Sequence, residues 1–423
     1  MWRRHVSSMR RCAGIHWAIH CRPASSLQVV NATTSADKLD VTWADGHRSS
    51  VDLFHLRAWC TCPQCQHSTG QRLLNITDAP PAPRVASVQV APDNAGVHIK
   101  WATGPQADAL PHATHFSSAT IRQLVSAPAS NSSPRALPST TPVSSVEFTA
   151  LSCDDGVFAL CEHIHRDGLA IVRNVPSTSG TVRLVAERIA PISHTHLYGS
   201  VFDVVAEHNP VNIAYTSARL KLHLDLAYYE SPPGLQLLHA LRYDASVQGG
   251  HSTFRDTFDA AETFRQRHPD HFQVLARVPA TFQKIHTDRK TPAIMEYHRP
   301  HIAVNHRDEV TAVFWSPPFE GPPTRIPPAD MAAYYAAYRA FDAIVQENVI
   351  EFKLGQGDLV IFNQRRMLHG REAFESVSDG VRHLQGTYVN IDDFLCRYQA
   401  LRHRNNVAVS AAVGTMRVGN QSY

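Results

Sequence analysis

The sequence predicts a mainly β protein: a sandwich or jelly-roll barrel with flanking helices, preceded by a small β-rich module. Three observations lead there. Apolar runs of strand length recur between turn residues through residues 147–405, with few helical stretches among them. Residues 38–124 hold two short strand–turn–strand units of their own. Between them lies VSAPASNSSPRALPSTTPVSSV (residues 125–146), whose Ser, Pro and Ala content reads as a linker or long surface loop.

Composition bounds the rest. A chain of 423 residues with 43% hydrophobic and 18% charged content is an ordinary globular protein with material for two or three domains. The net charge of +3 is concentrated at the start, where residues 1–36 carry Arg3, Arg4, Arg10, Arg11 and Arg22 without Lys, Asp or Glu. Subtracting those five leaves 3 − 5 = −2 for the remainder, so no nucleic-acid footprint is indicated. On a helix, Trp2, Val6, Met9, Ala13 and Trp17 fall beside the arginines, the pattern of a mitochondrial presequence. Residues 1–30 are therefore expected to be a targeting segment and the protein mitochondrial, or cytoplasmic if that segment is not one. No apolar run has the length of a membrane span.

In the first module, KLDVTWADGHRSSVDLFHLRAWC predicts a strand, an Asp-Gly turn and a second strand-like run, and ASVQVAPDNAGVHIKWATG repeats the scheme around Asp93–Gly96. The two units echo each other as strand, Trp, polar turn, His and Ser, which aligns His115 with His47. Three of the eight cysteines are packed into Cys60-Thr-Cys62-Pro-Gln-Cys65. Three thiolates so close cannot all pair with one another, and their spacing suits a structural zinc that needs one further ligand. The repeat nominates His115, with His112 close by and His67 a local alternative.

In the second domain LSCDDGVFALCEHIHRDG predicts a helix, followed by a strand over Leu169–Val172. PGLQLLHALRY, HIAVNH, VTAVFW, FKLGQGDLVIFNQRRML and RHLQGTYVNI read as strands, and residues 327–346 as the clearest helix. Within ARLKLHLDLAYY, Leu220, Leu222, Leu224 and Leu226 alternate, predicting a strand with one buried face. Its other face sets His223 beside Asp225. A further histidine, His369 at the end of DLVIFNQRRMLH, would complete the two-His, one-carboxylate facial triad of non-haem Fe(II) oxygenases. Arg382 follows thirteen residues later, with Arg365 and Arg366 as alternative cations.

NIAYTSARLKLHLD, PPGLQLLHALRY, MLHGREAF and RHLQGTYVNIDD resemble the γ-butyrobetaine and trimethyllysine dioxygenases of carnitine biosynthesis, which are Fe(II)/2-oxoglutarate oxygenases. The resemblance spans most of the chain beyond residue 30. It implies a double-stranded β-helix, with His223, Asp225 and His369 on Fe(II) and Arg382 on the far carboxylate of 2-oxoglutarate. Leu238 and Ser252 would line the same cosubstrate pocket. An aromatic cage for a trimethylammonium group would comprise Tyr198, Phe202, Tyr215 and Tyr388, since such a group offers no hydrogen and must be met by aromatic faces. Phe202 departs from the Trp more usual in the family. Asn212 and Asn305 would meet the substrate's polar end. The resemblance also implies His115 as fourth zinc ligand, a homodimer, and ascorbate as an accompanying reductant. Two other classes compete: a zinc-stabilised module that only binds a quaternary amine, and a metallohydrolase. The complete His223, Asp225, His369 and Arg382 set speaks against the first, and the lack of a separate general base against the second.

Overall fold

In the computed structural model the described residues are 28–104, 111–125, 137–206, 213–288, 292–376 and 380–405. The proposed targeting segment to residue 27, the tail from 406, the first half of the linker and Asn212 fall outside them. The chain divides into two compact units, Met1–Ala129 and Ser130–Tyr423.

The first unit is built from two three-stranded antiparallel sheets, Val29–Ser35 with Lys38–Trp43 and Arg48–Asp52, and Val85–Val90 with Gly96–Trp101 and His112–Ser117. Alternation in these strands sends Leu39, Val41, Trp43, Val97, Ile99, Trp101 and Phe116 into one shared core. In the first unit the second strand-like run is a strand only to Asp52, and its remainder is a helix instead. Asp52 accepts from the His55 N–H at 2.9 Å and caps Leu53–Ala58, so the chain turns immediately before the first zinc-type cysteine.

The second unit holds a six-stranded and a four-stranded sheet. In spatial order the larger comprises Ser145–Glu147, Leu169–Arg173, Leu359–Asn363, Leu235–Tyr243, Arg382–Val389 and Phe202–Val205. The smaller comprises Leu220–His223, Met367–Arg371, Ser252–Asp256 and Ile350–Phe352. The chain passes repeatedly from one sheet to the other, which is the jelly-roll pattern. Ile171, Ala240, Phe254, Val360, Phe362, Met367 and Leu384 form a core with both sheets represented. The helices Asp154–Asp167, Thr181–Ile189 and Ile391–Arg404 join a second apolar cluster with Leu235, Leu237 and Ile361, covering the larger sheet from outside. Strands buried on both faces read as continuous apolar runs, as LVIF does.

The predicted helix over 327–346 is Met331–Val345, entered through a turn at Pro328–Asp330. It packs with Thr257–Arg267 and Pro269–Arg277 in the insertion between Ser252–Asp256 and Ile350–Phe352. No helix among the described residues is long and apolar enough to cross a membrane.

Candidate active site and Cys3His cluster

The strand predicted through Leu226 is shorter than its alternation implies. Leu220–His223 pairs antiparallel with Met367–Arg371, and the ladder ends where His223 stands opposite His369. Beyond it the Leu224 N–H donates to the Trp315 carbonyl at 2.8 Å, and the Ser316 hydroxyl donates to the Leu224 carbonyl at 2.8 Å. Leu226 then adopts a left-handed backbone (φ 57°), a conformation costing a non-glycine residue about 1–3 kcal/mol. The four leucines are all buried, as read, but the last two belong to a turn. That turn returns Asp225 to the histidines. Gly370 permits the close strand approach, because a Cβ there would lie 2.7 Å from the Leu220 carbonyl oxygen and 2.8 Å from Thr253 Oγ1.

The result is a convergent triad. His223 Nε2 lies 3.3 Å from Asp225 Oδ1, His369 Nε2 lies 3.8 Å from Asp225 Oδ2, and the two imidazole centroids are 4.3 Å apart. The donor atoms of all three lie within 4.8 Å of one another. His223 donates Nδ1–H to the Lys221 carbonyl at 2.8 Å, which turns its Nε2 toward Asp225. Burial, reinforced by His223, pushes His369 down to about 3, so it is neutral at working pH. Burial opposes the charge of Asp225, but His369, His223 and the Tyr388 hydroxyl together hold its carboxyl well below the usual range. Two imidazoles and one carboxylate converging from a single side fit a divalent iron.

Two glutamines absent from the sequence reading hold the carboxylate in place. Gln236 Nε2 donates to Asp225 Oδ2 at 2.9 Å, and the Tyr388 hydroxyl donates to the same oxygen at 2.8 Å. Gln364, fully buried, accepts from the Asp225 N–H at 3.0 Å and donates to the Pro233 carbonyl at 2.8 Å. Its residue type carries no signal, since only the fold brings position 364 against 225. Tyr388 also does more than the sequence indicated, offering its ring to the cavity and its hydroxyl to the Asp225 carboxylate.

The open cavity beside the triad, about 630 Å³ with its solvent-filled mouth included, is lined by Tyr198, Phe202, Tyr215 and Tyr388, and also by Leu238, Ser252, Arg371 and Arg382. Tyr198 and Phe202 have centroids 5.5 Å apart, and Phe202 and Tyr388 5.1 Å. Tyr198 sits in a turn closed by Thr195 and Gly199, and Phe202 opens a strand, so the pair meets without the helix its spacing of four invites. Among the described residues of that lining, Asp225 is the only carboxylate.

Phe202 rests on Gly386, where a Cβ would lie 2.5 Å from the ring's Cζ and 3.0 Å from Leu238 Cδ2. Gly386→Ala should therefore displace Phe202. We expect KM for a cationic substrate to rise about 2- to 30-fold, matching a cation–π contact of about 0.5–2 kcal/mol. An unchanged KM in steady-state assays would remove Phe202 from the substrate's surroundings.

Arg382 is buried, with its guanidinium 5.6 Å from the centroids of both Tyr243 and Phe374, and Ser252 is paired across the sheet with Arg371. The alternative cations are engaged elsewhere: Arg366 with Asp256 at 2.8 Å, and Arg365 with the Pro232 carbonyl and the Ser231 hydroxyl. Asn305 requires a correction. It is not among the cavity-lining residues, and its side chain closes the turn after Ile302–Val304, accepting from the Arg307 and Glu309 N–H groups and donating to Glu309 Oε2 at 2.8 Å.

The Cys3His cluster also requires a correction. His112, not His115, joins Cys60, Cys62 and Cys65, with its Nε2 3.2, 3.6 and 3.7 Å from the three sulfurs. Parity on the strand His112–Ser117 is the reason. Positions 112, 114 and 116 point inward, whereas His115 points outward and meets His98 in a tilted ring contact with centroids 4.5 Å apart. Nitrogen–sulfur separations near 3.6 Å are the edges of a tetrahedron with ligand distances of about 2.0 and 2.3 Å. Nδ1 of His112 lies 3.1 Å from Gln64 Oε1, which leaves Nε2 facing the thiols.

A family model described as taurine catabolism dioxygenase TauD, TfdA family, matches residues 135–388. The chain belongs to that family. It is an Fe(II)/2-oxoglutarate-dependent dioxygenase, and its cofactor and cosubstrate are those of TauD/TfdA enzymes. Residues 30–115 match a second model, described as gamma-butyrobetaine hydroxylase-like, N-terminal. Dioxygenase str8 of Strobilurus tenacellus is 33% identical over 372 residues, covering 82% of this chain and 84% of that protein. The gamma-butyrobetaine dioxygenase of Pseudomonas sp. (strain AK-1) is 31% identical over 384 residues, covering 88% and 96%. The trimethyllysine dioxygenase of Meyerozyma guilliermondii is 26% identical over 404 residues, also covering 88% and 96%. The resemblance inferred from the short motifs therefore extends over nearly the whole TauD/TfdA enzyme and its N-terminal module.

Proposed function

We propose that this dioxygenase hydroxylates a small trimethylammonium compound, with γ-butyrobetaine, giving carnitine, as the leading substrate. The observation that carries this reading is the unbroken aromatic wall of Tyr198, Phe202 and Tyr388, ending with a hydroxyl on Asp225. Such a wall attracts a diffuse cation through ring faces and demands no hydrogen bond from it. Trimethyllysine is the second reading, favoured by the Arg-rich, acid-free start, which also supports a mitochondrial location. A homodimer, and ascorbate as reductant, follow from the same likeness.

His223, Asp225 and His369 would hold iron, and Arg382 the far carboxylate of 2-oxoglutarate. When bound, the iron couples oxidative decarboxylation of 2-oxoglutarate by O₂ to hydroxylation of the second substrate. The chain's own task is positional. Gln236 and Tyr388 occupy Asp225 Oδ2 and leave Oδ1 toward the metal, Gln364 anchors the Asp225 backbone, and the aromatic wall aims one C–H bond of the amine. The deciding assay supplies Fe(II), 2-oxoglutarate and each amine in turn and measures succinate and hydroxylated product. Absence of amine-stimulated succinate with every trimethylammonium compound would sink the reading.

Cys60, Cys62, Cys65 and His112 would bind a structural zinc. Four protein ligands leave no open position, so the ion would stabilise and not react. Burial pushes the Cys60 thiol up to about 12 without metal, so binding must expel protons and weaken as pH falls. Competition with a chromophoric zinc chelator should show weaker retention at pH 6 than at pH 8. Stripping the zinc should cost the first unit most of its stability, since such sites contribute about 10–16 kcal/mol at neutral pH. Circular dichroism unchanged by chelation would contradict this.

A further inference from the structure

Arg371 stands two residues beyond His369 on the strand Met367–Arg371, so both side chains leave the same face. It is buried and lines the cavity. Its guanidinium donates to three carbonyl oxygens of one short loop: Nη1 to Ala214 at 3.1 Å, and Nη2 to Thr216 at 2.7 Å and Ala218 at 2.6 Å. That loop carries Tyr215, another lining residue. A second tie joins it to the same strand region, from the Phe374 N–H to the Ser217 carbonyl at 3.1 Å.

The far side of the guanidinium lies over the Phe374 ring, 4.9 Å from its centroid, and Arg382 approaches the same ring at 5.6 Å. Carbonyl oxygens take three hydrogen bonds from the Arg371 Nη groups, its Nε has no partner among the described residues, and none of these oxygens cancels its charge. Neither Arg371 nor Arg382 is ion-paired to a carboxylate among the described residues. Two like charges thus share one aromatic ring in a buried pocket, and their repulsion opposes the contacts each must hold. A carboxylate on Arg382 would cancel one of them.

We propose that Arg371 is a positioning residue coupling the two halves of the cavity: 2-oxoglutarate on Arg382 relieves the repulsion, and Arg371 then clamps the 213–218 loop and sets Tyr215 for the amine. The proposal rests on the trimethylammonium reading. A residue that merely held the loop would do so equally with and without cosubstrate, whereas this arrangement makes the aromatic side conditional on the anionic side. Lysine at 371 keeps the charge but lacks the fork that reaches three carbonyls.

The test uses the full chain loaded with Mn(II) without O₂, so that nothing turns over. γ-Butyrobetaine is titrated calorimetrically with and without 2-oxoglutarate, and amide hydrogen exchange is followed over residues 213–218. In the wild type, 2-oxoglutarate should slow exchange there and tighten γ-butyrobetaine binding about tenfold. In Arg371→Lys, 2-oxoglutarate should bind within about twofold of wild type while the tenfold coupling collapses toward one. Coupling that survives Arg371→Lys would overturn the proposal, as would an equal loss of 2-oxoglutarate affinity, which would make Arg371 a direct carboxylate ligand. Wild-type exchange at 213–218 that ignores 2-oxoglutarate would overturn it without any variant. If no trimethylammonium compound binds the wild type under either condition, the substrate reading fails instead, and the exchange response alone still decides the coupling.

Discussion

Alanine at His223 should abolish succinate formation and leave the zinc content of the protein unchanged. His223 supplies one of only three donors in the triad, and its Nε2 is aimed by the Nδ1–H bond to Lys221. Losing it would remove one of the three side chains proposed to hold iron. We expect kcat/KM to fall about a thousandfold or more, equivalent to about 4 kcal/mol of transition-state stabilisation. Metal analysis beside the succinate assay separates the two centres, since Cys60, Cys62, Cys65 and His112 lie in the other unit. Turnover retained in His223→Ala would dismiss the triad. Zinc lost from it would mean that the two sites had been exchanged.

Among single substitutions, the largest stability effect is expected at Asp256, outside the reacting groups. Asp256 and Arg366 form an ion pair at 2.8 Å with side chains only 3% and 1% exposed. Arg366 also donates to the carbonyls of His165 and Arg166 at 3.0 and 3.1 Å, tying the end of the helix Asp154–Asp167 to the smaller sheet. The other oxygen of Asp256 caps the helix Thr257–Arg267, accepting from the Phe258 N–H at 3.0 Å. Asp256→Ala would strand a buried guanidinium and cost about 3–5 kcal/mol, with about 1 kcal/mol more from the lost cap. Urea denaturation of the iron-free protein measures it. The double variant Asp256→Leu/Arg366→Met should recover much of the loss, because replacing both charges leaves none uncompensated. A single-variant loss under about 1 kcal/mol would show that water reaches the pair.

Arg366 also shows how a sequence argument runs out. Arg365, Arg366 and Arg382 all follow a strand near His369, and residue type cannot rank them. Their partners do: Asp256 absorbs Arg366, backbone carbonyls absorb Arg365, and Arg382 lines the cavity with aromatic rings alongside. Arg371 was within reach of the sequence, because a period of two places it on the face of His369. What it grips was not, since the 214–218 carbonyls lie more than 150 positions away along the chain.

What the sequence determined by itself is therefore local and chemical. His223-x-Asp225, the His369-Gly370 strand end, Arg382 and the three close cysteines name their chemistry through residue type and short spacing. Alternation and turn residues name a β architecture, because burying one face of a strand writes a period of two into the chain. Tertiary structure decided everything that depends on which side of an element meets a distant one. It chose His112 over His115 by strand parity and ended the leucine strand at His223 with a left-handed Leu226. It sent Asn305 into a turn, and it brought Gln236 and Gln364 to a carboxylate that nothing near them in sequence foretells. The physical reason is the same in each case: a ligand's identity is carried by its side chain, but its aim is set by packing between segments far apart in the chain.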